Sequence, residues 1–177
     1  LGGSLDVKKM VWSSLLVALG ILLPILFRSI GAGSTFLPMH LPILLAGFIL
    51  PLPFAIAVAA ITPLLSSIFS GMPPYPFLLY MIPELVTYAL VISLMYNKNI
   101  KAPFIKRIYL PLGIAMIIGR LTASLFQAIL LANSIDIIVF FSSTIITCVP
   151  GIILQLIVIP IILYSFIKAG FIEGSIA

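Results

Sequence analysis

Two ionisable residues stand in surroundings that are otherwise almost wholly apolar. Glu84 lies in Phe77-Leu78-Leu79-Tyr80-Met81-Ile82-Pro83-Glu84-Leu85-Val86-Thr87-Tyr88, and Arg120 in Ala115-Met116-Ile117-Ile118-Gly119-Arg120-Leu121-Thr122. A charge inside an apolar segment is costly, so it faces a cavity or pairs with a partner. Helical spacing extends each charge into a stripe. Tyr80, Glu84 and Tyr88 fall at i, i+4 and i+8, and Arg120, Ser124 and Gln127 at i, i+4 and i+7. Two such stripes facing each other make a mostly apolar pocket with a few placed polar groups, which suits binding rather than catalysis. A structural ion pair locking two helices is the other reading. The two are compatible if Arg120 is shared between Glu84 and a ligand.

The remaining polar residues sharpen this. His40, in Leu37-Pro38-Met39-His40-Leu41-Pro42, is the one histidine. Metal sites need three or four ligands, and no second ligand stands at the right spacing. A hydrogen bond from His40 to the loop or to a bound molecule fits better. Cys148 is the single cysteine, so no disulfide forms within the chain, and it reads as packing material. Gln155 reads as an interhelical hydrogen bond, and Thr62-Pro63 with Ser66-Ser67 as a kink and close-packing positions. On the first apolar run Ser14 and Ala18 are four apart, with Gly20 nearby, a spacing that lets another helix come close. There is no phosphate-binding loop, no Ser/His/Asp set and no metal cluster. The chain is therefore not expected to be an enzyme or to carry a cofactor.

These residues must be positioned by membrane helices. The hydrophobic fraction is 63% and the charged fraction 7%, against roughly 25% charged in a soluble domain. The surface of this chain must face lipid. Spans are expected at about 10–27, 38–51, 54–70, 77–96, 108–132 and 140–167, making one all-α integral membrane domain over residues 1–177. The second is short and is expected to be shielded by its neighbours. Residues 133–136 are expected to form the last outer turn. With six spans, Lys8, Lys9, Lys98, Lys101, Lys106, Arg107 and Lys168 share one side, while Arg28 stands on the other. The positive-inside rule makes both termini cytoplasmic. The net charge of +5 thus reports orientation and does not point to nucleic acid. Residues 28–37 and Gly71-Met72-Pro73-Pro74-Tyr75-Pro76 are rich in Gly, Ser and Pro, and read as shaped outer loops.

Small size, six spans, internal termini and a basic fourth loop resemble the substrate-binding S component of an energy-coupling factor (ECF) vitamin transporter. Two stretches carry the likeness locally. They are Phe36-Leu37-Pro38-Met39-His40-Leu41-Pro42-Ile43-Leu44-Leu45-Ala46-Gly47-Phe48, and Ile61-Thr62-Pro63-Leu64-Leu65-Ser66-Ser67-Ile68-Phe69-Ser70-Gly71-Met72-Pro73-Pro74 with Pro83-Glu84-Leu85-Val86-Thr87-Tyr88 beyond it. The resemblance implies a plasma-membrane protein that captures a vitamin or precursor in its outer half. It further implies association with a membrane coupling subunit and two ATP-binding subunits, and toppling to release the ligand inside. It leans towards pantothenate, whose carboxylate Arg120 could hold, with Glu84 accepting from a hydroxyl or amide or bracing Arg120, and it leaves pyridoxine, riboflavin, folate and a queuosine precursor as alternatives. Tyr80, Tyr88, Ser124, Gln127 and His40 would complete the site, and Gly71, Pro73, Pro74 and Tyr75 a lid. Family members carry Ala-xxx-Ala on the first span for docking, where this chain has Ser14-xxx-Ala18. The expected alternative is a stand-alone carrier or channel with Glu84 as its protonatable group.

Overall fold

The computed structural model describes residues 2–31, 36–98, 103–130 and 137–170, with side chains at 7–31, 36–96, 103–130 and 146–170. The turn expected at 133–136, Lys101 and the side chain of Lys98 lie outside these residues. Six helices are described: α1 (Gly2–Ser29), α2 (His40–Ile49), α3 (Leu52–Ser70), α4 (Phe77–Lys98), α5 (Phe104–Leu130) and α6 (Ile137–Lys168). Five of them are long and apolar enough to cross a membrane.

The helix expected over 38–51 is the exception. With ten residues, α2 rises about 15 Å, half the thickness of a hydrocarbon core. It is stopped chemically, because Leu50 precedes Pro51 and is held extended at ψ 151°. Its lack of length is matched by enclosure. Every residue from Pro42 to Phe48 is buried, and α2 packs on α1, α3, α4 and α6. α2 is therefore the hydrophobic centre, around which the longer helices stand.

The outer wall follows chain order, with α3 on α4, α4 on α5 and α5 on α6, while α1 packs on α3 and α2. α1 turns most of its apolar surface outward, and Leu15, Leu22 and Leu26 are about half exposed or more. Its close contact is at Gly20, where an added Cβ would collide with the Thr62 methyl group of α3. A similar approach joins α5 to α4, since a Cβ on Gly119 would run into the Tyr88 ring. Tight helix–helix contact through small residues is the main packing device in lipid, where no hydrophobic gradient drives association.

α3 ends at Gly71, which adopts φ +69° and returns its N–H to the Ser67 carbonyl at 2.9 Å. The proline-rich segment that follows is tied at both ends. Ser67 Oγ donates to the Pro73 carbonyl at 2.9 Å. The Pro74 and Pro76 carbonyls accept from the N–H groups of Leu78 and Leu79 at 3.2 and 3.0 Å. The segment is thus a braced cover between α3 and α4.

Candidate functional site

α4 brings Phe77, Tyr80 and Glu84 along one face, so the carboxylate lies about 10 Å inward of the start of the helix. α5, packed against α4, places Arg120 at the same depth. Arg120 Nη1 lies 3.0 Å from Glu84 Oε1. Tyr88, one turn beyond Glu84, donates its hydroxyl to the same oxygen at 2.6 Å. His40, the first residue of α2, sets Nε2 3.6 Å from that oxygen, just beyond hydrogen-bond range. Its ring centroid is 5.6 Å from that of Tyr88. All four residues are buried. A buried ion pair holds only if its remaining hydrogen-bonding capacity is met, and Tyr88 supplies part of it here.

A cavity of about 580 Å³ adjoins this cluster. Glu84, Arg120, His40 and Tyr80 line its inner part, and Pro73 and Pro74 of the braced segment form part of its cover. Most of the remaining wall is apolar, with Met39, Met72, Phe77 and Met81 prominent. That combination of an apolar wall and a few convergent polar groups is what small-molecule sites share.

Besides the apolar wall, Cys148, Pro24 and Arg28 also line it and were missed as site residues from sequence. Cys148 of α6, read as packing, borders the cavity that Arg120 also lines. Pro24 and Arg28, in the C-terminal part of α1, line it as well. Nothing in the spacing of Cys148 shows that α6 returns to Arg120. Arg28 was legible only as the charge that closes the first apolar run.

The other expected site residues fall differently. Tyr88 stands behind the ion pair rather than on the wall, wedged against Gly119. Ser124 turns its hydroxyl back onto the Arg120 carbonyl at 2.8 Å. Gln127 is buried, does not line the cavity, and leaves Oε1 without a hydrogen-bond partner. Gly71 and Tyr75 belong to the covering segment without lining the cavity, and Tyr75 is 77% exposed. Gln155 Nε2 points at the Leu37 carbonyl at 3.5 Å, so it meets the loop before α2 rather than another helix. Ser14 and Ala18 are exposed on a groove of about 410 Å³ between α1 and α3 that shares no lining residue with this cavity. Among the described residues no group of three or more His, Cys, Asp or Glu converges on one point.

The family model of the ECF transporter substrate-specific component matches residues 8–173. The chain belongs to that family. No curated protein and no solved structure matches it. As an S component it is a multi-pass protein of the plasma membrane and the substrate-specific part of an uptake transporter. Coupling to membrane and ATP-binding subunits goes with that membership.

Proposed function

We propose that this S component is the high-affinity binding subunit for a vitamin or vitamin precursor, with pantothenate the favoured ligand, in an ATP-driven ECF complex. The observation that carries the reading is the cavity of about 580 Å³ with a buried ion pair at its inner end. Its volume lies within the roughly 300–1,000 Å³ of small-molecule sites.

The orientation follows from the helix ends. Lys8 and Lys9 lie in the N-terminal third of α1, Lys106 and Arg107 in the first turn of α5, and Lys168 ends α6. These ends share one side of the alternating bundle, and the cavity rim at Arg28 lies on the other. By the positive-inside rule the basic side is cytoplasmic and the cavity opens outward. Ligand enters from outside beneath the braced segment at Gly71–Pro76. It meets His40 and the Glu84–Arg120 pair, and Glu84 acts mainly by holding Arg120 in place. The exposed groove at Ser14 and Ala18, whose walls include Val17, Phe54 and Ala57, is the docking face for the coupling subunit. Release inside follows when partners drawing on ATP topple the loaded subunit.

The carrier alternative loses support from the engagement of Glu84, since a gate that loads and unloads protons is poorly served by a carboxylate already gripped by Arg120 and Tyr88. Reconstitution separates the two. In proteoliposomes holding the chain with its coupling and ATP-binding subunits, labelled pantothenate uptake is expected to require ATP. Uptake by the chain alone, driven by an ion gradient without ATP, would establish the carrier instead.

A further inference from the structure

The cavity is electrically uneven along its length. At its inner end the charges of Glu84 and Arg120 cancel. His40 adds two ring nitrogens that are buried and without a hydrogen-bond partner, on a residue only 2% exposed. A buried polar group left unpaired is costly. This end therefore asks for a neutral group that can donate and accept hydrogen bonds. At the outer end Arg28 lines the same cavity from the last turn of α1. It is exposed, and among the described residues it has no ion-pair partner. Between the two ends the wall is formed by apolar side chains such as Met39, Phe77 and Met81.

A ligand carboxylate has two places to go. Deep in the cavity it would face Glu84 about as closely as Arg120, so attraction and repulsion largely offset each other. It would also lose its hydration in a mostly apolar chamber. At the rim it keeps water on one side and meets positive charge alone. We infer that the ligand lies lengthwise, its anionic group outward at Arg28 and its neutral hydroxyl or amide end inward at His40 and the Glu84–Arg120 pair. The substrate class is then a small molecule with an anion at one end, a compact apolar middle and a hydrogen-bonding neutral end. This rests on the binding-subunit reading, and it moves the anion-selecting role from Arg120 to Arg28.

The test is titration calorimetry of the purified full chain with pantothenate and with pantothenol, in which a CH₂OH group replaces the carboxylate. The wild type is expected to prefer pantothenate, and that preference should shrink as salt is raised. Arg28→Gln should weaken pantothenate about three- to tenfold, leave pantothenol unchanged and remove the salt dependence. Arg28→Lys should retain part of the preference. In the charge-balanced double variant Glu84→Gln/Arg120→Gln, both ligands should weaken together with their ratio kept. An unchanged ratio in Arg28→Gln, or a ratio lost in the double variant, overturns the orientation while leaving the binding subunit intact. A wild type that binds neither probe removes pantothenate as the ligand class and the orientation with it.

Discussion

Arg120 Nη1 and Glu84 Oε1, on two different helices, meet at 3.0 Å inside the bundle with side chains only 10% and 4% exposed. The pair therefore has two jobs, joining α4 to α5 and forming the polar end of the cavity. Removing one partner cannot isolate one job. From sequence alone Arg120→Ala would be expected to abolish binding and leave folding largely intact. With Glu84 held as it is, that substitution strands a buried carboxylate, which costs about 3–5 kcal/mol. Thermal unfolding in detergent should show Arg120→Ala strongly destabilised. Glu84→Gln/Arg120→Met should recover much of the loss and still bind ligand poorly. Equal stability of wild type and Arg120→Ala would show the pair to be energetically idle.

Tyr88 supports the pair through its hydroxyl and the helix contact through its ring. Tyr88→Phe keeps the ring and loses the 2.6 Å bond to Glu84, a loss of about 1.5–3 kcal/mol for a bond to a charged group. Gly119→Ala keeps the bond partners and puts a methyl group into the ring. Both should lower the unfolding temperature, and their effects should not add in the double variant, because both act through one side chain. Simple additivity would separate the two contacts.

Ser67 ties the cavity cover to α3 by its bond to the Pro73 carbonyl. Ser67→Ala should speed ligand dissociation a few-fold and change association little, as expected when a lid loosens without altering the wall. Stopped-flow displacement reads both rates. An unchanged off-rate would mean that the proline segment does not confine the ligand.

Cys148 borders the same cavity as Arg120. A small methanethiosulfonate reagent should label it slowly, and bound pantothenate should slow the labelling further. Labelling rates that ignore saturating ligand would place the ligand elsewhere.

Ser14 and Ala18 lie on the exposed groove, away from the cavity. Replacing both with leucine should leave ligand affinity within about twofold, since distant surface changes seldom exceed 0.5 kcal/mol. The same variant should lose the coupling subunit in co-purification. Retained complex would remove the groove as the docking face.

The sequence exposed the site where chemistry departs from its background. Glu84 and Arg120 are conspicuous because apolar helices have few charges, and the i+4 spacing that links Tyr88 to Glu84 became a hydrogen bond. Spacing misled at Ser124, because a serine in a helix can satisfy itself on the carbonyl four residues back. Cys148 was hidden for a different reason. Which helix returns to Arg120 is a matter of tertiary packing, on which local periodicity is silent. The α2 segment was visibly short, but its place at the centre became plain only from the helices packed around it. Gly20 makes the tight contact with Thr62, which its place near Ser14 and Ala18 in the sequence does not reveal.

The most direct test of the central claim is native mass spectrometry of the full chain, purified in detergent after expression in rich medium. The account predicts a protein-bound mass of vitamin size that is absent from Glu84→Gln/Arg120→Gln, and a mass equal to pantothenate would identify the ligand. A bare wild-type protein that also takes up nothing from an added vitamin panel would contradict the account, leaving the cavity without the ligand proposed for it.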